Sequence, residues 1–291
     1  MVLSKLKQLF MGGKKTSRLD IKKRFGILGK SGMGSMSQVY RVQDREQGKM
    51  VCLKILDKEK TAQFEARFAG LKRPSEGTIA MELHHPNIVE TFDHGVTSTG
   101  EQYLLMEWID GPGLHGLIEV DHAQLRGNRA SYLVQVADAL EYMHQQKYLH
   151  RDICPRNVMI EPKGKVKLID FGLSLPYRPE FCKPGNRTGT ASYLAPEIIK
   201  RGTTDHRVDI FALGVTAYEL YTGEMPWGRH ESIQSLMSLM NNPGKDPREH
   251  QPDLDEATAE FLMRAIEREA PKRFHTAGAF RDAVKKLPKK W

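Results

Sequence analysis

The sequence predicts an α+β fold in which a region of short strands precedes a larger, mostly helical region. Two observations support this prediction. Strand-like runs occupy the first third of the chain, and after Gly111 the apolar residues recur at helical spacing. The 291 residues are enough for one bilobed domain and little else.

The strand patterns come first along the chain. Three lie at Phe25–Gly29, Gln38–Val42 and Met50–Ile55, and two more flank the turn Thr97–Gly100. One helical stretch, around Gly70–His84, is inserted among them. We therefore expect five strands and one helix in this region.

The helical patterns follow the turn-forming residues Gly111–Gly113. Apolar residues then recur at helical spacing in five stretches, which are Arg126–Gln145, Arg207–Thr222, Ser232–Asn241, Asp255–Arg268 and Thr276–Leu287. No internal repeat and no low-complexity segment interrupts this series.

The formal net charge of +8 is concentrated at the N-terminus. Residues 1–30 contain nine Lys and Arg against the single acid Asp20, and basic and acidic residues balance in the rest of the chain. The basic character therefore belongs to an N-terminal arm, and we expect no nucleic-acid partner for the folded domain.

The basic arm is predicted to comprise residues 1–24. Apolar residues between positions 2 and 10 recur at helical spacing, with lysines beside them. This pattern indicates either weak attachment to an anionic membrane surface or docking onto another protein. A solvated tail without a partner is the third alternative.

The cysteines and the absence of long apolar runs bear on location. Cys52, Cys154 and Cys182 form an odd set without paired spacing, which argues against a disulfide framework or a structural zinc site. No apolar stretch approaches the roughly 20 residues of a membrane span. Lys5 and Lys7 interrupt what would be the apolar part of a secretory signal. We expect a cytoplasmic protein, either free or peripheral at a membrane.

The most informative pattern is the run from His150 to Asn157, followed by Asp170-Phe171-Gly172 after a short strand. It supplies a carboxylate, an amide and a second carboxylate, with Asp152 and Asp170 eighteen residues apart. Carboxylate and amide oxygens are the ligands that Mg²⁺ prefers. A polar turn followed by an unrelated loop is the alternative interpretation.

These residues resemble the catalytic motifs of eukaryotic-type protein kinases. Three further segments match the family: Gly189–Glu197 at the end of its activation segment, Asp209–Gly214 in a buried helix, and Arg273 as the partner of Glu197. Together the matches run from about Phe25 to Leu287, which is nearly the whole chain.

The resemblance implies a two-lobed protein kinase-like fold with ATP bound between the lobes. It places a small antiparallel-sheet N-lobe at residues 25–107 and a mostly helical C-lobe at residues 108–287, followed by a tail at 288–291. It also implies that Asp152 is the catalytic base and that Asn157 and Asp170 hold Mg²⁺ against the phosphates.

The nucleotide-binding residues are carried over in the same way. A hairpin over phosphates needs small residues, as at Gly32 and Gly34, although such turns are common in proteins. Lys54 follows Val39 by fifteen residues, as in the family, and Glu76 lies where the family places the partner of this lysine. A solvated surface glutamate is the alternative for Glu76. The full expected set is Ser31, Gly32, Gly34, Val39, Cys52, Lys54, Glu76, Met106, Glu107, Ile109 and Asp170, with Met106 as gatekeeper and the backbone of Glu107 and Ile109 at the adenine.

The match departs from the family at several positions. Ser31, Met36, Ser37 and Cys52 replace the usual residues around the phosphates and adenine, and Cys154 replaces the lysine that contacts the transferring phosphate in serine/threonine kinases. A thiol cannot supply that positive charge. Arg156, at the position where tyrosine kinases carry an arginine, is a candidate to supply it. A surface arginine on a slow enzyme is the alternative.

The sequence thus predicts an ATP- and Mg²⁺-dependent kinase that phosphorylates serine or threonine hydroxyls of protein substrates. Thr190 favours that class over tyrosine kinases, whereas Arg156 argues weakly for dual specificity. A pseudokinase or nucleotide-binding scaffold and a small-molecule kinase are the alternatives.

Thr188 is the best-placed acceptor for an activating phosphate held by Arg151, and an enzyme active without modification is the other hypothesis.

Overall fold

The computed structural model describes residues 18–33, 36–185, 188–228, 242–288 and 290. The apolar pattern of residues 2–10 and the helix predicted at Ser232–Asn241 lie outside them. The described residues divide into two compact units. The first unit comprises the residues up to Arg67 and Thr91–Trp108, and the second comprises Phe68–Glu90 and the residues from Ile109 onward.

A five-stranded antiparallel sheet forms most of the first unit. Its strands are β1 (Phe25–Met33), β2 (Ser37–Asp44), β3 (Met50–Leu56), β4 (Thr91–Val96) and β5 (Gln102–Glu107), in the order β1-β2-β3-β5-β4. Phe25, Val42, Leu53 and Leu105 are among the side chains that form its core. All five predicted strands are therefore present, each within a few residues of its predicted bounds.

The residues before β1 are attached to this sheet. Leu19 donates its N–H to the carbonyl of Val96 over 3.0 Å, and a short helix α1 (Ile21–Arg24) follows. The guanidinium of Arg24 donates a 2.9 Å hydrogen bond to the fully buried Asp44. The basic arm therefore joins the folded unit at Leu19.

Two helices connect β3 and β4. Helix α2 (Lys58–Ala66) belongs to the first unit and was not predicted, because its apolar residues show hardly any helical periodicity. Helix α3 (Glu76–Glu82) lies within the predicted stretch Gly70–His84 and belongs to the second unit. The side chain of Ser75 caps α3 by accepting the N–H of Thr78.

The second unit is mainly helical. Its remaining helices are α4 (Leu114–Glu119), α5 (Arg129–Gln145), α6 (Pro196–Ile199), α7 (Arg207–Thr222), α8 (Glu256–Ala265) and α9 (Ala277–Val284). Helix α7 is buried on all sides from Val208 to Tyr221, and its residues there are mostly apolar, with Asp209, Thr216 and Glu219 as buried exceptions. Among the helices of the described ranges, none is both long enough and apolar enough to span a bilayer.

Two short antiparallel strand pairs flank the loops of the second unit. Strand β6 (Tyr148–Leu149) pairs with β9 (Leu175–Pro176), and β7 (Val158–Ile160) pairs with β8 (Val166–Leu168). The loop between β6 and β7 carries Asp152, and the turn between β8 and β9 carries Asp170. After the roles that the sequence predicts for their residues, we call these the catalytic loop (residues 150–157) and the metal turn (Asp170–Ser174).

Candidate active site

The catalytic loop is hydrogen-bonded to the buried helix α7. Asp209 in its first turn is 1% exposed, and its two carboxylate oxygens accept the N–H groups of His150 (2.9 Å) and Arg151 (2.8 Å). The ring of His144 bonds the same carboxylate at 3.0 Å. These contacts brace the loop from the buried helix in which the family resemblance places Asp209.

The charge of Asp209 is stabilised by its partners. Burial by itself raises the pKa of this carboxyl, but the hydrogen bond and charge of His144 and the loop N–H groups outweigh burial. The pKa of Asp209 therefore lies below its ordinary value, and the carboxylate that orders the loop stays ionised at neutral pH.

Asp152 is oriented by two neighbours. The amide of Asn157 donates to Oδ2 of Asp152 over 2.9 Å and to its backbone carbonyl over 2.8 Å. Thr190 donates to Oδ1 twice, through its hydroxyl (2.7 Å) and its backbone N–H (2.8 Å). These three hydrogen bonds to its two oxygens hold the carboxylate in one orientation and leave one acceptor position, on Oδ2.

The metal turn begins with a strained residue. Asp170 has φ +66°, a left-handed conformation that is uncommon outside glycine, and its Oδ1 accepts the N–H of Gly172 over 3.0 Å. A side chain at Gly172 would meet Oε2 of Glu76 at 3.1 Å and Oδ1 of Asp170 at 3.2 Å. The carboxyl of Glu76, which is buried, therefore lies beside the metal turn.

Asn157 and Asp170 fit the ligand chemistry of magnesium. The amide nitrogen of Asn157 makes both of its side-chain hydrogen bonds, so its carbonyl oxygen remains available as a ligand. Mg²⁺ commonly takes one or two protein oxygens and completes its shell with water and phosphate oxygens. Within the described part of the chain, no three His, Cys, Asp or Glu side chains form a metal site on their own.

Cys154 and Arg156 differ sharply in environment. Cys154 is 1% exposed, and burial raises the pKa of its thiol to about 12, so it carries no charge near the reacting groups. Arg156 lies in a single 3₁₀ turn, Pro155–Asn157, and its side chain is exposed. Its guanidinium makes no ion pair or hydrogen bond with any residue that the structure describes.

Four nucleotide-binding candidates of the first unit lie on neighbouring strands. Val39 of β2 stands opposite Lys54 of β3, and Cys52 of β3 stands opposite Met106 of β5. Lys54 and Met106 are buried. Burial also raises the pKa of the Cys52 thiol to about 11.

The other candidates are distributed as follows. Glu107 ends β5 opposite Val51, and Ile109 is buried in the second unit. Ser31 and Gly32 lie in β1, with Gly32 opposite Val39. Gly34 lies outside the described residues.

The end of the segment after the metal turn is fixed by an ion pair. Arg273 donates one hydrogen bond to each carboxylate oxygen of Glu197, both 2.8 Å long. The same guanidinium donates to the backbone carbonyls of Arg207, Glu267 and Arg268. The predicted pairing of these two residues is confirmed.

Glu76 and Glu82 of helix α3 lie in different surroundings. Glu76 is buried beside the metal turn, whereas Glu82 is exposed and accepts a hydrogen bond from the hydroxyl of Tyr148. The alternative of a solvated surface glutamate therefore does not describe Glu76.

Three residues around the site were not found from the sequence. His144 bonds Asp209, the buried hydroxyl of Ser174 donates to the carbonyl of His150, and Arg73 bonds two carbonyls of the metal turn. His144 precedes the catalytic loop at the end of a helix, which is a weak signal. For Arg73 and Ser174 nothing in the local sequence indicates the contact.

Comparison with known proteins agrees with this geometry. Residues 25–284 match the family model described as a protein kinase domain. The chain is 29% identical over 269 residues to the serine/threonine-protein kinase pkn3 of Myxococcus xanthus, covering 89% of this chain and 49% of that protein. It is 30% identical over 266 residues to the serine/threonine-protein kinase PknB of Mycolicibacterium smegmatis, covering 86% and 40%.

A eukaryotic relative matches over a shorter stretch. An Aurora kinase of Candida glabrata is 37% identical over 212 residues, which covers 70% of this chain and 56% of the yeast protein. The chain thus spans 40% to 56% of the length of these three relatives. Because the family model covers most of the sequence, the α+β, two-lobed fold class is confirmed, and the chain belongs to the protein kinase family.

Proposed function

We propose that this protein transfers the γ-phosphate of ATP to serine or threonine hydroxyls of proteins. The observation that carries the proposal is the fixed orientation of the Asp152 carboxylate by Asn157 and Thr190. The names of the bacterial relatives, which are serine/threonine-protein kinases, support the substrate class.

Asp152 acts as the base. Its carboxylate accepts the proton of the substrate hydroxyl as the oxygen attacks phosphorus, and Asn157 keeps it from turning away. Asn157 and Asp170 hold Mg²⁺, which supplies charge neutralisation at the phosphate oxygens when bound. Lys54, which is buried in β3, supplies a positive charge to the nucleotide phosphates, and Glu76, which is buried beside the metal turn, is the carboxylate that the family resemblance assigns to orient that lysine.

The remaining nucleotide contacts are assigned to strand residues. Backbone amides around Ser31 and Gly32 approach the phosphates, because small residues let amides come close to anionic oxygens. Gly34, which lies outside the described residues, is assigned the same role from the sequence alone. The adenine is bound by an apolar surface and by backbone groups, which come from Val39, Cys52, Met106, Glu107 and Ile109.

Arg156 provides the positive charge that Cys154 cannot. Its exposed guanidinium makes no ion pair or hydrogen bond with the described residues, and its donor fork suits phosphate oxygens. The neutral Cys154 thiol leaves this role to it.

The test is transfer of labelled phosphate from ATP in the presence of Mg²⁺ to the chain itself or to a generic basic protein. Asp152→Asn removes the base and Asp170→Ala removes a metal ligand, and each is expected to lower the rate by about 10²-fold or more. Equal activity of Asp152→Asn and wild type would show that the roles are assigned wrongly.

Nucleotide binding separates the main competing function from this one. If the wild-type chain binds ATP and Mg²⁺ but transfers nothing to any hydroxyl, it is a pseudokinase or nucleotide-binding scaffold. Transfer to tyrosine as well as serine or threonine would make it a dual-specificity enzyme, the outcome to which Arg156 points.

The N-terminal arm is proposed to bind weakly to an anionic membrane surface or to another protein, and the cytoplasmic location stays a prediction of the sequence. Because Leu19 bonds Val96, the deletion that tests the arm should stop before Leu19. Removal of residues 1–17 is expected to leave activity in solution intact and to abolish co-sedimentation with anionic vesicles at low salt. No vesicle binding by the full chain would dispose of membrane attachment.

A further inference from the structure

Arg73 makes three hydrogen bonds to the metal turn, although it precedes helix α3 and lies about one hundred residues earlier in the chain. Its Nη2 donates to the carbonyl of Gly172 at 2.8 Å and to that of Ser174 at 2.9 Å, and its Nε donates to Ser174 at 3.1 Å. A planar guanidinium presents these donors in a rigid fork on separate nitrogens, whereas the three donors of an ammonium group share one nitrogen and rotate freely.

The backbone of Arg73 is held in place by its neighbours. Pro74 follows it, and a residue before proline is restricted to extended conformations. Ser75 then caps helix α3 by accepting the N–H of Thr78 at 3.1 Å. The guanidinium also lies over the ring of Phe68, 5.9 Å from its centroid, and this ring packs against Phe181. The backbone and the side chain of Arg73 are therefore both restrained where the guanidinium meets the metal turn.

The two carbonyls belong to the residues that shape the turn around Asp170. The N–H of Gly172 bonds the Asp170 carboxylate, and the N–H of Ser174 bonds the carbonyl of Phe171 at 3.0 Å. The hydroxyl of Ser174 donates to the carbonyl of His150 in the catalytic loop. The metal turn is thus bonded to Arg73 through the carbonyls of Gly172 and Ser174, and to the catalytic loop through the hydroxyl of Ser174.

The turn needs such support because Asp170 adopts a left-handed conformation, which persists only where the surroundings over-determine it. Carboxyl oxygens of Glu76 and Asp170 both lie near Gly172, the residue whose carbonyl Arg73 bonds.

We propose that Arg73 is a positioning residue that holds the metal turn in the shape in which Asp170 binds Mg²⁺. The expected effect of Arg73 on turnover rests on the proposed kinase function. Its effect on the order of the metal turn does not depend on activity. Removal of the guanidinium loosens the turn, so the Asp170 carboxylate must be ordered by the metal itself.

Hydrogen exchange in the metal-free protein tests the structural part. In Arg73→Ala, the amides of Gly172 and Ser174 are expected to exchange about 10-fold faster or more than in wild type, because charge-assisted hydrogen bonds to both residues are lost. Arg264→Ala is the matched control: it also removes a guanidinium lying over a phenylalanine, Phe274, but has no bond to the turn. Unchanged exchange of Gly172 and Ser174 in Arg73→Ala would overturn the proposal.

The Mg²⁺ dependence of activity tests the consequence. Arg73→Ala is expected to need about 10-fold more Mg²⁺ for half-maximal rate, with turnover recovering at saturating Mg²⁺, and Arg73→Lys should fall between it and wild type. Lower turnover with an unchanged Mg²⁺ requirement would contradict a positioning role. If Arg73→Ala does not fold, Arg73→Lys decides by the same two measurements. An inactive wild-type enzyme would refute the proposed function, while hydrogen exchange still decides the role of Arg73.

Discussion

The hydroxyl of Thr190 donates a 2.7 Å hydrogen bond to Oδ1 of Asp152, the same oxygen that accepts the backbone N–H of Thr190. Thr190 lies thirty-eight residues after Asp152, in the segment that follows the metal turn, and this segment therefore takes part directly in orienting the Asp152 carboxylate. The hydroxyl bond can be removed without disturbing the backbone bond, which makes its contribution measurable.

Thr190→Ala is therefore expected to lower turnover by about 10-fold, because the carboxylate loses one of the bonds that fix its orientation. Thr190→Ser keeps the hydroxyl and should stay near wild type. Turnover and KM measured for both variants check this. Equal turnover of the alanine and serine variants would show that the backbone bond alone orients Asp152.

Arg156→Ala is expected to depress turnover more than nucleotide affinity, because a contact with the transferring phosphate matters most in the transition state. Introducing Cys154→Lys into that variant should restore part of the lost rate by returning a positive charge. The measurement is turnover together with the dissociation constant for ATP. Arg156→Ala with wild-type turnover would leave Arg156 without a role in transfer.

Strand positions were predictable because alternating apolar residues and turn-forming residues are local signals. All five strands of the sheet and the long helix α7 lie close to their predicted bounds. Helix α2 was missed because its two buried side chains, Thr61 and Phe64, do not make an apolar face. The short strand predicted before Asp170 is present as β8, whereas β6, β7 and β9 were too brief to carry a period of their own.

The catalytic motif was predictable for a different reason: its residues are close in sequence, and their chemistry is specific. The supporting contacts are not close in sequence. Arg73 bonds Ser174 from 101 residues away, and Asp209 braces His150 from 59 residues away. Asp209 was found only through the family resemblance, and Arg73 was not found at all, since a lone arginine before a proline carries no signal of its partner.

Arg273 is expected to be essential for stability. Its guanidinium is fully buried and donates to Glu197 and to three backbone carbonyls. Arg273→Ala leaves a carboxylate and these carbonyls without their donor, so the free energy of unfolding should fall by about 3–5 kcal/mol. Arg281→Ala, which breaks a more exposed pair with Asp138, should cost about 1 kcal/mol or less. Denaturant unfolding of both variants checks this, and equal losses would contradict the assignment.

The thiols of Cys52 and Cys154 are expected to be unreactive in the folded protein. Burial raises the pKa of Cys52 to about 11 and that of Cys154 to about 12. At pH 8 the thiolate fractions are then roughly 10⁻³ and 10⁻⁴, and the thiolate is the reactive form. Alkylation with iodoacetamide, followed by mass spectrometry, should be slow at both sites and become fast in urea. Rapid labelling of Cys154 in the folded chain would contradict the burial described here.

The burial of Thr188 and Arg151 argues against an activating phosphate on Thr188. Thr188 is only 7% exposed, and Arg151, the residue predicted to hold its phosphate, is 4% exposed. A kinase can reach the Thr188 hydroxyl only if the surrounding segment opens first. Burying a doubly charged phosphate there would also cost desolvation free energy. This favours the hypothesis of an enzyme that is active without modification. We expect mass spectrometry of the active protein to find Thr188 unmodified, and Thr188→Ser to retain full activity, with Thr188→Ala close to it. Stoichiometric phosphate on Thr188, together with loss of activity on phosphatase treatment, would instead establish the switch.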